Sequence, residues 1–551
     1  MNARLFAWIE KAASLMKSLK KVKYFIFILL GLLAAFLFYT FRNKYFLLGD
    51  FTLRVGQTMK QEFLMTEYLT MKLLYHISTF LGRHGMSPIQ SFVLVSCAAG
   101  GIFVTMFCFI ADLLGKTLLQ KCLLLVGGIS SGMLLLFCGY LDIYALPVAF
   151  TSVYLYMTLK YSYKKSYFWP ALICLALAIA SHLLCMAFAP ALVIAWYHHH
   201  KHQLPLIAKM TNRKRLFLII TLVLVLIIIV YNRKTGFVLP IHAPPKSSNY
   251  MTLFSSSHIW EFINGQLLGC GISLLIILVA LYSIIRNKLS LSPQVYLLMA
   301  SSAGILLIVF LANLQRGSGD WDISSLTAVT MNVLLMLLLL RLYEAKVKFA
   351  SYLIIIVLIY NSFNMALWVH INSNQKSLAK TESMLVNDPG TYYSSKLAGI
   401  IQLIYIYKEN KLTEDAKRLS LHACDVLPSS DIRGCMMYAD MLVEEKKITE
   451  VRVFYEELLQ KNPFVPQAYI YLIYSYQDTK EDEKILPMIV RFYNAFKAQP
   501  NYFLLYLKPI NCLEPIEYLY NYTRQTNPSA NLNEMAGVVA QLKRLNASQP
   551  K

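Results

Sequence analysis

Apolar stretches long enough to cross a bilayer recur along the first two thirds of the chain and then stop. A membrane helix needs about 20 consecutive, mostly apolar residues. On that measure spans are predicted at 24–41, 89–113, 122–139, 143–159, 216–231, 265–285, 292–313, 323–340 and 349–368. The first is read as an uncleaved helix, since no small-residue cleavage site follows it. The stretch 167–197 is too long for one ordinary span and short for two. Read as a hairpin turning near Ser181-His182, it brings the total to eleven, with the N-terminus inside and the C-terminus outside. Short arms of this kind are tolerated where the turn is buried in protein or lines a water-filled cavity.

The loops decide the orientation. Lys17, Lys20, Lys21 and Lys23 precede the first span, and Lys116/Lys121, Lys160/Lys164/Lys165, Arg286/Lys288 and Arg341/Lys346/Lys348 fall in alternate short loops. This is the positive-inside pattern. The hairpin also returns Lys201, Lys209, Arg213, Lys214 and Arg215 to the inner side, whereas a single helix at 167–197 would invert all that follows.

Beyond the last span the pattern changes to amphipathic segments in pairs. Prolines at 428, 463 and 500 close successive pairs, 35 and 37 residues apart. This resembles tetratricopeptide repeats, whose period is about 34 residues and whose units end in proline. The predicted fold is therefore all-α: a basic N-terminus at 1–23, a polytopic membrane domain at 24–370 and a soluble helical-repeat domain at 371–551. Cys424 and Cys435 are placed either as a bridge between adjacent helices in an oxidising compartment or as buried thiols.

Composition agrees with that division. The 551 residues are 57% hydrophobic and 15% charged, against about 25% charged in soluble proteins. The net charge of +22 suggests nucleic acid until it is located. Residues 369–551 hold 21 basic and 20 acidic side chains, so the excess lies in the membrane half, 31 against 10. Its expected partner is an anionic leaflet rather than nucleic acid. Seven of the ten cysteines lie in apolar stretches and have no zinc-ligand spacing.

Candidate chemistry gathers on the outer side. Asp50 follows the first span in Gly49-Asp-Phe-Thr-Leu-Arg54, ahead of an amphipathic stretch carrying Glu62, Met65-Thr-Glu67 and Lys72. A carboxylate there can take a proton from a hydroxyl, and Arg54 can meet a phosphate. Asp142 ends the third span in Gly139-Tyr-Leu-Asp, and His182 marks the hairpin tip. His258, Glu261 and Asn264 are three apart on one helix face, either towards substrate or as the wet side of an interfacial helix. Arg316, Asp320 and Asp322 share a glycine-containing turn. The two acids can hold a divalent cation, Mg or Mn, or orient the arginine. No other cofactor is indicated. His198, His199, His200 and His202 are metal-capable in type but fall in the basic inner loop, where they read as interfacial. The spans lack the mid-membrane acids that ion-coupled transporters place there.

Asp50 behind the first span, the helical segment after it, the Gly139–Asp142 exit, Ser181-His182 at a re-entrant turn, the His258 helix start and the Asp320-Trp-Asp322 turn together resemble the GT-C class of membrane glycosyltransferases. The likeness covers roughly residues 20–370. It implies transfer of a sugar from a polyprenyl-phosphate donor to a glycan, lipid or protein acceptor outside a bacterial inner membrane. It implies Asp50 as general base, Arg54 and Arg316 on the lipid phosphate, Asp142, His182 and His258 lining the sugar cavity, and Asp320/Asp322 ordering the site. Asp50 stands alone where several families of the class carry paired acids. The rival expectations are a non-catalytic envelope scaffold whose repeats recruit a protein partner, and a flippase for lipid-linked sugars.

Overall fold

The computed structural model describes residues 22–43, 51–200, 254–311, 321–373, 376–387, 393–426, 432–527, 529 and 531–547. The described residues are helical, with no strand among them. The chain divides into two compact units, Met1–Ala379 and Lys380–Lys551.

In the first unit α1 is Val22–Thr40. It is followed by α2 (Phe51–Met59), α3 (Tyr68–Gly82), α4 (Pro88–Leu114), α5 (Leu118–Ile129), α6 (Ala145–Tyr163), α7 (Phe168–Ser181) and α8 (Ala189–His200). After the undescribed stretch come α9 (Ser256–Cys270), α10 (Ser273–Arg286), α11 (Pro293–Leu311), α12 (Trp321–Glu344) and α13 (Ala350–Ser373). Among the described residues five helices are long and apolar enough to cross a membrane, or six if the bent pair α9–α10 counts as one. The expected span at 216–231 lies outside the described residues.

Three segments differ in shape from unbroken spans. The stretch 122–139 is a helix only to Ile129; Gly132–Phe137 continue as 3-10 turns and 138–144 as buried irregular chain. Gly127 and Gly128 pack directly under Met336 and Phe107, and the Ser130-Ser131-Gly132 run then breaks the helix. Irregular backbone at this depth survives because protein surrounds it. The stretch 265–285 bends by 90° between α9 and α10. The bend sits at Gly271, whose φ of +63° excludes most side chains; a Cβ there would lie 2.1 Å from Asn361 Oδ1.

The stretch 167–200 folds back on itself. Tyr161, near the end of α6, packs its ring against Phe168 at the start of α7 and against His199 at the end of α8. His199 Nε2 also donates to the Tyr161 carbonyl at 2.6 Å. Both ends of the stretch therefore meet one residue, while its middle reaches the opposite end of α6, where His182 stacks on Tyr144. Two short helices turning at His182 satisfy this; a single tilted helix does not.

Helix α12 is the hub, buried along most of its length. Its apolar positions pack in the core of the unit, and its polar ones bond sideways: Thr327 donates to Gln266 Oε1 at 2.7 Å, Ser302 to Thr330 Oγ1 at 3.0 Å and Ser273 to Asn332 Oδ1 at 2.8 Å. Gly265 and Gly269 let α9 lie close against Ser324 and Ser325.

The second unit begins within α14 (Lys376–Asn387) and continues through α15 (Tyr393–Glu409), α16 (Thr413–Val426), α17 (Arg433–Glu444), α18 (Ile448–Lys461), α19 (Pro466–Asp478) and α20 (Asp482–Ala498). Then follow α21 (Pro500–Tyr506), α22 (Pro509–Thr526) and α23 (Asn533–Ala547). Each long helix packs on its neighbours in sequence. The second helices of successive pairs start at Thr413, Ile448 and Asp482. The turns before them hold Lys411, Lys446 and Lys480 at φ of 59°, 60° and 58°. The repeat is thus 35 and then 34 residues, a stack of helical hairpins. Cys424 and Cys435 are joined as a disulfide between α16 and α17.

Candidate functional site

The hairpin tip builds the site. α7 ends at Ser181 because His182 turns to extended backbone, and its ring nitrogen Nδ1 then accepts the Leu184 N–H at 3.1 Å. An Nδ1 that accepts carries no proton, so the ring's proton sits on Nε2. Two bonds fasten this tip to the start of α3 and the residues just before it. The Leu183 N–H donates to the Thr66 carbonyl at 2.8 Å, and Thr70 Oγ1 to the Ser181 carbonyl at 2.9 Å.

The residue that follows Thr66 is Glu67, at the start of α3 and only 4% exposed. Its Oε1 lies 3.1 Å from Arg54 Nη2, which reaches over from α2, and 3.9 Å from His182 Nε2. Burial pushes the Glu67 carboxyl up from 4.5 to about 7; Arg54 pulls it down, and the nearby negative charge of Asp142 pushes it further up. Glu67 lies in the segment between α1 and α4 and belongs to no span. Its Oε2 and the Nε of Arg54 are both buried without a hydrogen-bond partner among the described residues. Orphaned buried polar atoms are uncommon and call for an explanation.

Asp142 comes from the irregular stretch after the 3-10 turns, where Gly139 takes φ +67° with Val93 and Arg42 pressed against it. One carboxylate oxygen accepts the Ile143 N–H at 2.6 Å. The same stretch places Tyr140 so that its hydroxyl donates to Asp322 Oδ2 at 3.3 Å. Asp322 is buried in the first turn of α12, and its Oδ1 accepts the Ile323 N–H at 2.9 Å. Residues 140–144 thereby link the Glu67 centre to the start of α12.

Arg54, Asp142 and His182, singled out from the sequence, are thus brought together, and Asp322 joins them through Tyr140. His258 stands apart, buried at the start of α9, with Nε2 donating to the Phe310 carbonyl at 2.7 Å. That is a structural bond between α9 and α11. Glu261 falls within α9, but its side chain lies outside the described residues, as do Asp50, Arg316 and Asp320. Glu67 was not singled out by sequence reasoning. The only signal was an acid flanked by Met65 and Tyr68-Leu69, and its burial depends on a hairpin tip more than 110 residues away.

No family model, curated protein or solved structure matches the chain.

The arrangement suits proton transfer. A carboxyl balanced near neutrality, a guanidinium beside it and an imidazole with a defined tautomer are what acid–base chemistry on a bound anion needs. Of the Asp320/Asp322 pair expected to hold a divalent cation, only Asp322 is among the described residues. The oxygens of Asp322 already accept a backbone N–H and a tyrosine hydroxyl, and among the described residues no three His, Cys, Asp or Glu side chains are grouped to hold a metal. His199 and His200 are bonded to the Tyr161 and Trp196 carbonyls.

Proposed function

We propose that this protein is a membrane glycosyltransferase of the GT-C type, moving a sugar from a polyprenyl-phosphate carrier to an acceptor hydroxyl on the extracytoplasmic face. The observation that carries this is the buried Glu67, held between Arg54 and His182 with its carboxyl near neutrality. In the transfer, the bond from the anomeric carbon to the carrier phosphate breaks and the acceptor oxygen takes its place. The phosphate leaves with one more negative charge, and the acceptor's proton must go to a base. Glu67 takes the proton, its pKa matching that task at neutral pH. Arg54, whose Nε–H has no partner among the described residues, meets the phosphate charge. His182 and Asp142 fix the carboxyl's position and protonation.

The GT-C likeness gives the base role to Asp50 instead, which immediately precedes α2 in the chain. The two assignments part in their variants. Purified protein in nanodiscs is incubated with a radiolabelled polyprenyl-phosphate sugar and its turnover is followed. Glu67→Gln should lose on the order of 10²–10⁴ in rate, the usual size of an acid–base contribution. If only Asp50→Asn loses turnover, Glu67 is not the base. If neither variant changes it, the reading fails.

The basic loops support an inner-membrane orientation with this site outside. The Cys424–Cys435 disulfide supports an oxidising surrounding for the C-terminal unit. Read as tetratricopeptide-like, the hairpin stack serves to bind a protein partner.

A further inference from the structure

The opposite end of the membrane unit holds a cavity of about 380 Å³. It is formed where the α4–α5 turn, the α10–α11 turn and the last turns of α12 meet. One wall is apolar, from Leu114, Leu337 and Leu340. The other is made of donors around a single carboxylate. Glu344 Oε1 accepts from Lys116 Nζ at 2.9 Å and from Gln120 Nε2 at 3.2 Å, and its other oxygen lies 3.7 Å from Arg341 Nη1. Arg341 also donates through Nε and Nη2 to the carbonyl and hydroxyl oxygens of Ser290, both at 3.2 Å.

Two cations therefore face one acid, leaving one positive charge in excess. Ser290 and Glu344 hold the guanidinium in place, so less side-chain freedom is lost when an anion arrives. The ammonium of Lys116 has three donors, one of them given to Glu344, and its side chain lines the cavity while 75% exposed. A charged rim beside an apolar wall suits an amphiphile rather than a free ion. Lys121 and Lys160 stand at this same end, as the positive-inside pattern requires of a face against an anionic leaflet.

We propose that this cavity binds the phosphate headgroup of an anionic phospholipid, with its acyl chains running along the leucine wall. The site is independent of the Glu67 centre. The test is native mass spectrometry of the full-length protein released from nanodiscs of phosphatidylcholine and phosphatidylglycerol in equal amounts. The wild type should retain phosphatidylglycerol several-fold over phosphatidylcholine. Lys116→Gln with Arg341→Gln should abolish that preference, and the single variant Lys116→Gln, at a side chain 75% exposed, should reduce it. Lys164→Gln with Lys165→Gln, in a basic loop outside the cavity, should keep it. Equal retention by the wild type and the double variant would overturn the proposal. So would displacement of the lipid by millimolar inorganic phosphate, which would assign the site to a soluble anion.

Discussion

Replacing Glu67 by glutamine keeps the side chain's shape and removes its charge, so the cost of the buried carboxylate can be read directly from stability. The carboxyl's pKa is raised from 4.5 to about 7 in the folded protein. Between these values the folded state holds a proton that the unfolded chain has lost, so stability falls as pH rises. The group's contribution is fully present below about 4.5 and gone above about 7. A shift of this size corresponds to ~3 kcal/mol, at about 1.4 kcal/mol per pKa unit. The amide of Glu67→Gln has no such proton to lose. The variant should match the wild type near pH 4.5 and exceed it by up to ~3 kcal/mol above neutrality. Thermal unfolding of both proteins in the same detergent, from acid to mildly alkaline pH, measures the difference and cancels every other titrating group. Identical pH slopes for the two would refute the placement of a near-neutral buried carboxyl.

Arg54→Gln removes the charge that holds the Glu67 carboxyl down, so that carboxyl should titrate higher still. The acid limb of the pH–rate profile should then move to higher pH, whereas a purely structural role would lower the rate without moving the limb. Gly271→Ala places a Cβ against Asn361 in backbone that favours glycine and should cost roughly 1–3 kcal/mol, seen as a lower melting temperature of the membrane unit. Cys424→Ser with Cys435→Ser opens a short loop and should cost the C-terminal unit about 3 kcal/mol. Limited proteolysis, with added reductant reproducing the effect in the wild type, checks it.

The sequence carried the large divisions well. Apolar length marked helices long enough to cross a membrane, and the amphipathic segments read in pairs are helices whose hairpins repeat at 34–35 residues. The turn at Ser181-His182 was also legible, because the apolar stretch 167–197 is too long for one ordinary span. What escaped was detail set by contacts distant in sequence. The helix break after Ile129 leaves Gly127 and Gly128 packed under Met336 and Phe107, and the 90° bend sits at Gly271, where Asn361 from across the bundle leaves no room for a side chain. Hydropathy counts residues along one segment and is blind to both. Glu67 was passed over for the same reason. On its own helix it reads as a solvated acid, whereas in the fold Arg54 of α2 and the docked residues 181–183 lie against it. His258 shows the converse: a conspicuous polar residue at a helix start turned out to be bonded to a carbonyl of α11.

Sugar transfer, on the proposed reading, depends on Glu67. Its most direct test is the lipid-linked sugar pool of native host cells in which the wild-type chain is replaced by Glu67→Gln, quantified by mass spectrometry alongside the amount of folded protein. The proposal predicts that one polyprenyl-phosphate sugar accumulates while its glycan product disappears. Wild-type levels of both, with the variant folded and present in the membrane, would contradict it.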